Sequence, residues 1–164
     1  MIFYEEIFKA FQEQKVKYIL VGGLAVNLLG AMRTTSDMDI LVEMSDENLK
    51  KIVEILKSRG YRVKYPVDPL KLSDPHIREE WINKKHMKAF NFYKDDELKE
   101  VDLIIESPVT YEDAKKDTVN IKVGDLILPV ISLSKLIKMK KVSGRNIDEL
   151  DIKELNRLKK LKNK

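Results

Sequence analysis

Apolar residues at Ile7, Phe8 and Phe11 recur at the spacing of one helical face and predict a helix over 4–14. The β-prone run YILV at 18–21 reads as a strand that stops at Gly22-Gly23. A short helix over 24–29, closed by Gly30, is expected next, and then a second strand over 37–42. Ser45 is placed to cap a helix over 46–59, whose Leu49, Ile52, Val53 and Leu56 share one face and whose end is marked by Gly60.

The pattern changes after Gly60. A strand over 61–65 is followed by a loop with Pro66, Pro69 and Pro75, then a helix over 77–84. Runs at 88–93 and 101–105 bracket the polar stretch KDDELKE and predict two antiparallel strands joined by a turn. Thr110 can cap a short helix through Ala114, and runs at 119–123 and 126–130 flank Gly124-Asp125 as a hairpin. Two helices, over 132–142 and 147–161, are separated by Ser143-Gly144. This irregular order predicts an α+β fold with a mixed β-sheet flanked by helices. A single domain over 1–164 is expected, with 131–164 as a C-terminal helical appendage.

Composition narrows the chemistry. A chain of 164 residues with 43% apolar content suits one globular domain. No stretch approaches the ~20 apolar residues of a membrane span. The N-terminus MIFYEEIFKAF carries acids where a signal peptide would carry Lys or Arg, so a cytoplasmic protein is expected. The absence of cysteine excludes disulfides, thiol catalysis and Cys-based zinc sites. With only His76 and His86 as imidazoles, any metal should be a hard, oxygen-bound ion.

Charge is uneven. Residues 135–164 hold eleven Lys or Arg against four Asp or Glu, so this segment carries +7 of a net +4 and the rest of the chain sums to −3. Such a segment is either a solvated helix face or a contact surface for RNA or a partner protein.

The acids at 37 and 39 need a reason. Residues two apart on a strand share a face, about 7 Å apart, while Met38, Ile40 and Val42 face the other way. Two such carboxylates repel, and a divalent cation would resolve the conflict; Mg²⁺ is the usual ion where few carboxylates meet phosphates. Asp102, in the run VDLII, is a third strand acid that converges with them if the two strands are neighbours. Gly22-Gly23, between a strand and a helix, lets the backbone approach a phosphate.

Val21-Gly22-Gly23, thirteen intervening residues and then Asp37-Met38-Asp39-Ile40 resemble the polymerase-β-type nucleotidyltransferase superfamily. The likeness is to its small toxin-type and antibiotic-modifying members, and ISLSKLIKMKKVSGRNIDELDIKEL resembles their later helices. The resemblance implies that Asp37, Asp39 and Asp102 ligate two Mg²⁺ ions (or Mn²⁺ in their place), with Asp102 also a candidate general base. It implies that Gly22 and Gly23 cradle the β- and γ-phosphates of an NTP. A Ser often follows the first glycine in that family; Gly23 leaves its role to backbone.

The function expected is transfer of an NMP from an NTP to a hydroxyl on a small molecule, a protein or an RNA end. The alternative is a catalytically silent nucleotide- or nucleic-acid-binding regulator or toxin–antitoxin component. Without a separate acceptor domain, a ligand, a partner protein or a second copy in a homodimer would complete the cleft. Arg33 and Thr34, ahead of the acidic strand, and Lys138 and Lys141, with Arg145, are candidate nucleotide-binding residues. Trp81 and His86 are read as residues beside the core rather than as a base-stacking platform.

Overall fold

The structure, a computed structural model, describes residues 4–95 and 97–162. Asp96, in the expected turn KDDELKE, lies outside them. In chain order the elements are α1 (Glu5–Glu13), β1 (Tyr18–Val21), α2 (Gly22–Leu28), β2 (Met38–Val42), α3 (Asp46–Ser58) and β3 (Arg62–Val63). A 3₁₀ turn (Pro69–Ser73) leads to α4 (Pro75–Lys85), β4 (Ala89–Lys94), β5 (Lys99–Ile104) and α5 (Tyr111–Lys115). The hairpin β6 (Val119–Val123) and β7 (Leu126–Val130) precedes α6 (Leu133–Ser143) and α7 (Asn146–Lys162).

The seven strands form one mixed sheet in the order β3-β4-β5-β2-β1-β7-β6. β2 runs antiparallel to β1 and parallel to β5, and β1 runs parallel to β7. The expected α+β class with a mixed sheet and flanking helices is therefore the observed one. Period-two alternation explains the register. Met38 and Ile40 on β2, Val101 and Leu103 on β5, and Phe90 and Phe92 on β4 are fully buried on one face of the sheet. Phe8 and Phe11 of α1 and Leu49, Ile52 and Leu56 of α3 complete the core.

Local chemistry sets the ends. Ser45 accepts a hydrogen bond from the Asn48 N–H and Thr110 one from the Asp113 N–H, so both predicted caps form. α2 starts two residues earlier than expected, because Gly22 and Gly23 make its first turn. Trp81 is buried and stacked on Phe90, 5.9 Å between ring centres, while His86 ends α4 in a left-handed conformation. No helix among the described residues is long and apolar enough to cross a membrane.

The last two helices pack into the body of the protein. Leu155 of α7 is fully buried, and Leu158 approaches Gly30 at the end of α2.

Candidate active site

Strand order brings the acids together. In the register Asp39 faces Asp102 across β2 and β5, Asp102 faces Asn91 on β4, and Val21 faces Asp39 across β1. One row thus crosses four strands on the sheet face opposite the aromatic core. The Asp39 and Asp102 carboxyls are paired across the two strands, and the Asn91 amide donates to Asp102 Oδ1 at 2.5 Å.

Asp37, Glu100 and Asp102 each offer a carboxylate oxygen, all within 4.8 Å of one another. Glu100 was not among the expected acids. Its signal is present in the run KEVDLI, where Glu100 and Asp102 stand two apart on one strand face; Asp37 and Asp39 have the same spacing, with Asp37 just before β2. Lys64 Nζ lies 3.2 Å from Glu100 Oε1. The Tyr4 hydroxyl contacts the backbone carbonyls of Ser36 and Glu100, tying the approaches to β2 and β5 together.

The acids are electrostatically crowded. Burial, followed by the Glu100 charge, pushes the Asp37 carboxyl above its usual range. Burial also pushes Asp39 up, against its interaction with the Asp102 carboxyl and the positive charges of Lys140 and Arg145. Asp102 is pushed up to about 8, mainly by burial and then by Asp39 and Glu100, against the Asn91 hydrogen bond. Hard oxygen donors whose mutual repulsion raises their proton affinity fit a divalent cation.

Asp39 opens onto a cavity of about 460 Å³. Gly22, Asp39, Lys140, Arg145 and Asp148 form its polar side, and Leu136, Met139 and Pro108 are among its apolar residues. Gly22 is required there: its φ is +67°, and a Cβ would lie 2.1 Å from Asp39 Oδ2. At Gly23 a Cβ would meet Thr35 Oγ1 at 2.8 Å and Arg33 Cζ at 3.2 Å, so this glycine makes room for the loop before β2.

The other expected residues are placed differently. Arg33 is turned toward α7, where its Nη1 is 2.6 Å from Asp151 Oδ2, and its backbone N–H is held by Asn27. Thr34 is exposed beside it, outside the cavity. Lys138 and Lys141 are exposed on α6 and do not line the cavity, whereas Lys140 is buried and does. The helical period explains the difference: the three lysines lie on different azimuths of α6, and only that of Lys140 faces α7 and the sheet.

This architecture occurs in solved nucleotidyltransferases, and the family match places the protein in the polymerase-β type of that class. More narrowly, the model of the family described as aminoglycoside-2''-adenylyltransferase matches residues 4–158, and the chain belongs to that family. The expected class of enzyme, a nucleotidyltransferase, therefore stands.

Among solved structures, the chain is similar to the lincosamide antibiotic adenylyltransferase LnuA in its lincomycin-bound form. The TM-score is 0.64 at 18% identity, over 96% of this chain and 98% of that one. It is also similar to the antibiotic-resistance factor ANT(2'')-Ia in solution, with TM-score 0.55 at 18% identity over 93% and 78% of the two chains. ANT(2'')-Ia in complex with adenylyl-2''-tobramycin gives TM-score 0.55 at 15% identity over 93% and 90%. No curated protein matches the chain in sequence.

Proposed function

We propose that the protein is a Mg²⁺-dependent nucleotidyltransferase that moves an NMP from an NTP, ATP in the first instance, to a hydroxyl of a small molecule. The observation that carries this reading is the pairing of Asp39 with Asp102 where Asp39 lines a cavity together with Lys140 and Arg145. Carboxylates and cations lining one such space suit a triphosphate with its counter-ions.

Asp37, Asp39, Glu100 and Asp102 would hold Mg²⁺, or Mn²⁺ in its place, and the bound metal would neutralise charge on the phosphoryl group being transferred. Gly22 brings the backbone close to the phosphates, and the apolar residues Leu136, Met139 and Pro108 accept the base. Asp102, with its raised proton affinity, suits the role of acceptor for the hydroxyl proton. The hydroxyl oxygen then bonds to the α-phosphorus as the bond to the bridging oxygen breaks and pyrophosphate leaves.

A second cavity, of about 340 Å³, supports a place for the acceptor. It is lined by Tyr65, Lys85, His86, Lys88 and Asn91, and so adjoins the residue that hydrogen-bonds Asp102. Lys88 also lines the larger cavity. The Lys-rich end of α7 is the surface we assign to any RNA or protein partner.

Titration calorimetry of ATP, GTP, CTP and UTP with Mg²⁺, on wild type and on Asp37→Asn/Asp39→Asn, tests the reading. Magnesium-dependent binding by wild type and its loss in the double variant are expected. Equal binding by the two folded proteins would overturn it.

A further inference from the structure

Five charged residues form a network where α6, α7 and the loop before β2 meet. Lys140, 4% exposed, places Nζ 3.2 Å from Asp148 Oδ1 and 3.1 Å from Asp151 Oδ2. The same Asp151 oxygen receives Arg33 Nη1 at 2.6 Å. Arg145 grips Asp148 with two nitrogens, Nε at 2.8 Å from Oδ2 and Nη2 at 3.2 Å from Oδ1. Asp148 also accepts the Arg145 backbone N–H, which fixes it at the start of α7.

Two features set this network apart from a structural ion pair. Burying charges costs several kcal/mol per ion in desolvation, so apolar residues of similar volume would hold these helices together at least as well. Moreover, Lys140, Arg145 and Asp148 all line the cavity that Asp39 lines. Within the network three cations share two carboxylates, and two of those cations, Lys140 and Arg145, line the cavity assigned to the triphosphate. Arg145 keeps an exposed guanidinium held by its bidentate partner, a geometry suited to phosphate oxygens.

We propose that Asp148 and Asp151 are positioning residues that hold Lys140 and Arg145 as the triphosphate-binding cations, so that α7 is a working part of the nucleotide site. Arg33 is the third cation held through Asp151, and contributes to the phosphate field without lining the cavity. The inference rests on the nucleotide reading above and adds to it the residues that recognise the phosphate chain.

Calorimetry with Mg²⁺-ATP and with AMP separates this role from a structural one. Asp148→Asn and Asp151→Asn should weaken ATP binding by roughly tenfold or more, as loss of an orienting partner commonly does, while AMP affinity stays unchanged. Asp151→Glu should restore most of the ATP affinity. In a Lys140→Gln background Asp151→Asn should add little, because the aspartate acts through the lysine.

Unchanged ATP affinity in both aspartate variants would overturn the inference, and so would an equal loss of ATP and AMP affinity. Should the aspartate variants not fold, exposed Arg145→Gln decides: an undiminished ratio of ATP to AMP affinity overturns it. Loss of binding in Asp37→Asn/Asp39→Asn beside intact binding in the α7 variants would sink this inference alone. A wild type that binds no nucleotide would sink both.

Discussion

Gly22 lies directly against Asp39: a methyl group on the glycine would lie 2.1 Å from a carboxylate oxygen of the aspartate. The glycine thus permits the acid row to stand at the start of α2, and its φ of +67° adds a second reason for having no side chain. Gly22→Ala should destabilise the protein by about 1–3 kcal/mol and displace Asp39. Denaturant melts and Mg²⁺-dependent nucleotide binding should both fall; an unaffected variant would remove the packing account. Gly23→Ala, which meets side-chain atoms that can move, should be milder in both measurements.

Glu100 completes the tightest group of carboxylate oxygens with Asp37 and Asp102. Removing its charge should weaken Mn²⁺ binding by about tenfold while leaving the fold intact, because Lys64, its only ion-pair partner among the described residues, is itself exposed. Titration of Glu100→Gln with Mn²⁺, followed by electron paramagnetic resonance, reads this directly. Wild-type affinity in the variant would exclude Glu100 from the metal site.

The crowded acids make the metal-free protein sensitive to alkali. Asp102 is raised to about 8, chiefly by burial, so the native state holds its proton where the unfolded chain releases it. Stability from this group is full below the ordinary carboxylate range and is lost as pH rises through about 8. Without metal, wild type should melt lower at pH 9 than at pH 6, and Asp102→Asn should lessen the difference. Added Mg²⁺ should raise the pH 9 melting temperature of wild type more than that of the variant.

Asp148 has the opposite sign. Burial would push its carboxyl up, but hydrogen bonds from Arg145, Ser143 and Lys140 outweigh burial and hold it well below the usual carboxylate range. The native state therefore binds its proton less readily than the unfolded chain. Its contribution is present above the ordinary carboxylate value and is lost as pH falls below that value. Melts from pH 7 to pH 3 should show a steeper acid loss in wild type than in Asp148→Asn, and parallel curves would contradict the linkage.

Acceptor charge should matter. The smaller cavity presents Lys85, His86 and Lys88, with no carboxylate lining it among the described residues, so a polycation would meet like charge there. Transfer of labelled NMP should be faster to neutral or anionic hydroxyl compounds than to tobramycin. Lys85→Glu/Lys88→Glu should narrow or reverse that order. Equal or faster labelling of tobramycin by wild type would sink this assignment.

Much of the fold was legible because its signals are local. The strands over 18–21, 119–123 and 126–130 and the caps at Ser45 and Thr110 depend on neighbours a few residues away, and all are found where the pattern places them. α2 starts two residues before the expected 24–29, because Gly22 and Gly23 supply its first turn. Asp37, Asp39 and Asp102 announced themselves as charges inside apolar strand runs. Glu100 did not, since it stands at the polar beginning of β5 beside Lys99.

The amino-acid sequence by itself determined the elements, the face on which each strand acid lies and the family, all of which follow from periodicity and short motifs. Only the tertiary structure decided that β2 lies beside β5, so that Asp39 meets Asp102 across a gap of many residues. It also decided that Lys140 rather than Lys138 or Lys141 reaches the cavity, and that Arg33 is drawn to Asp151. The physical reason is the same in each case. Strand order and helix azimuth are set by how buried faces pack over long sequence separations, and adjacent lysines on one helix are alike until a neighbouring helix buries one of them.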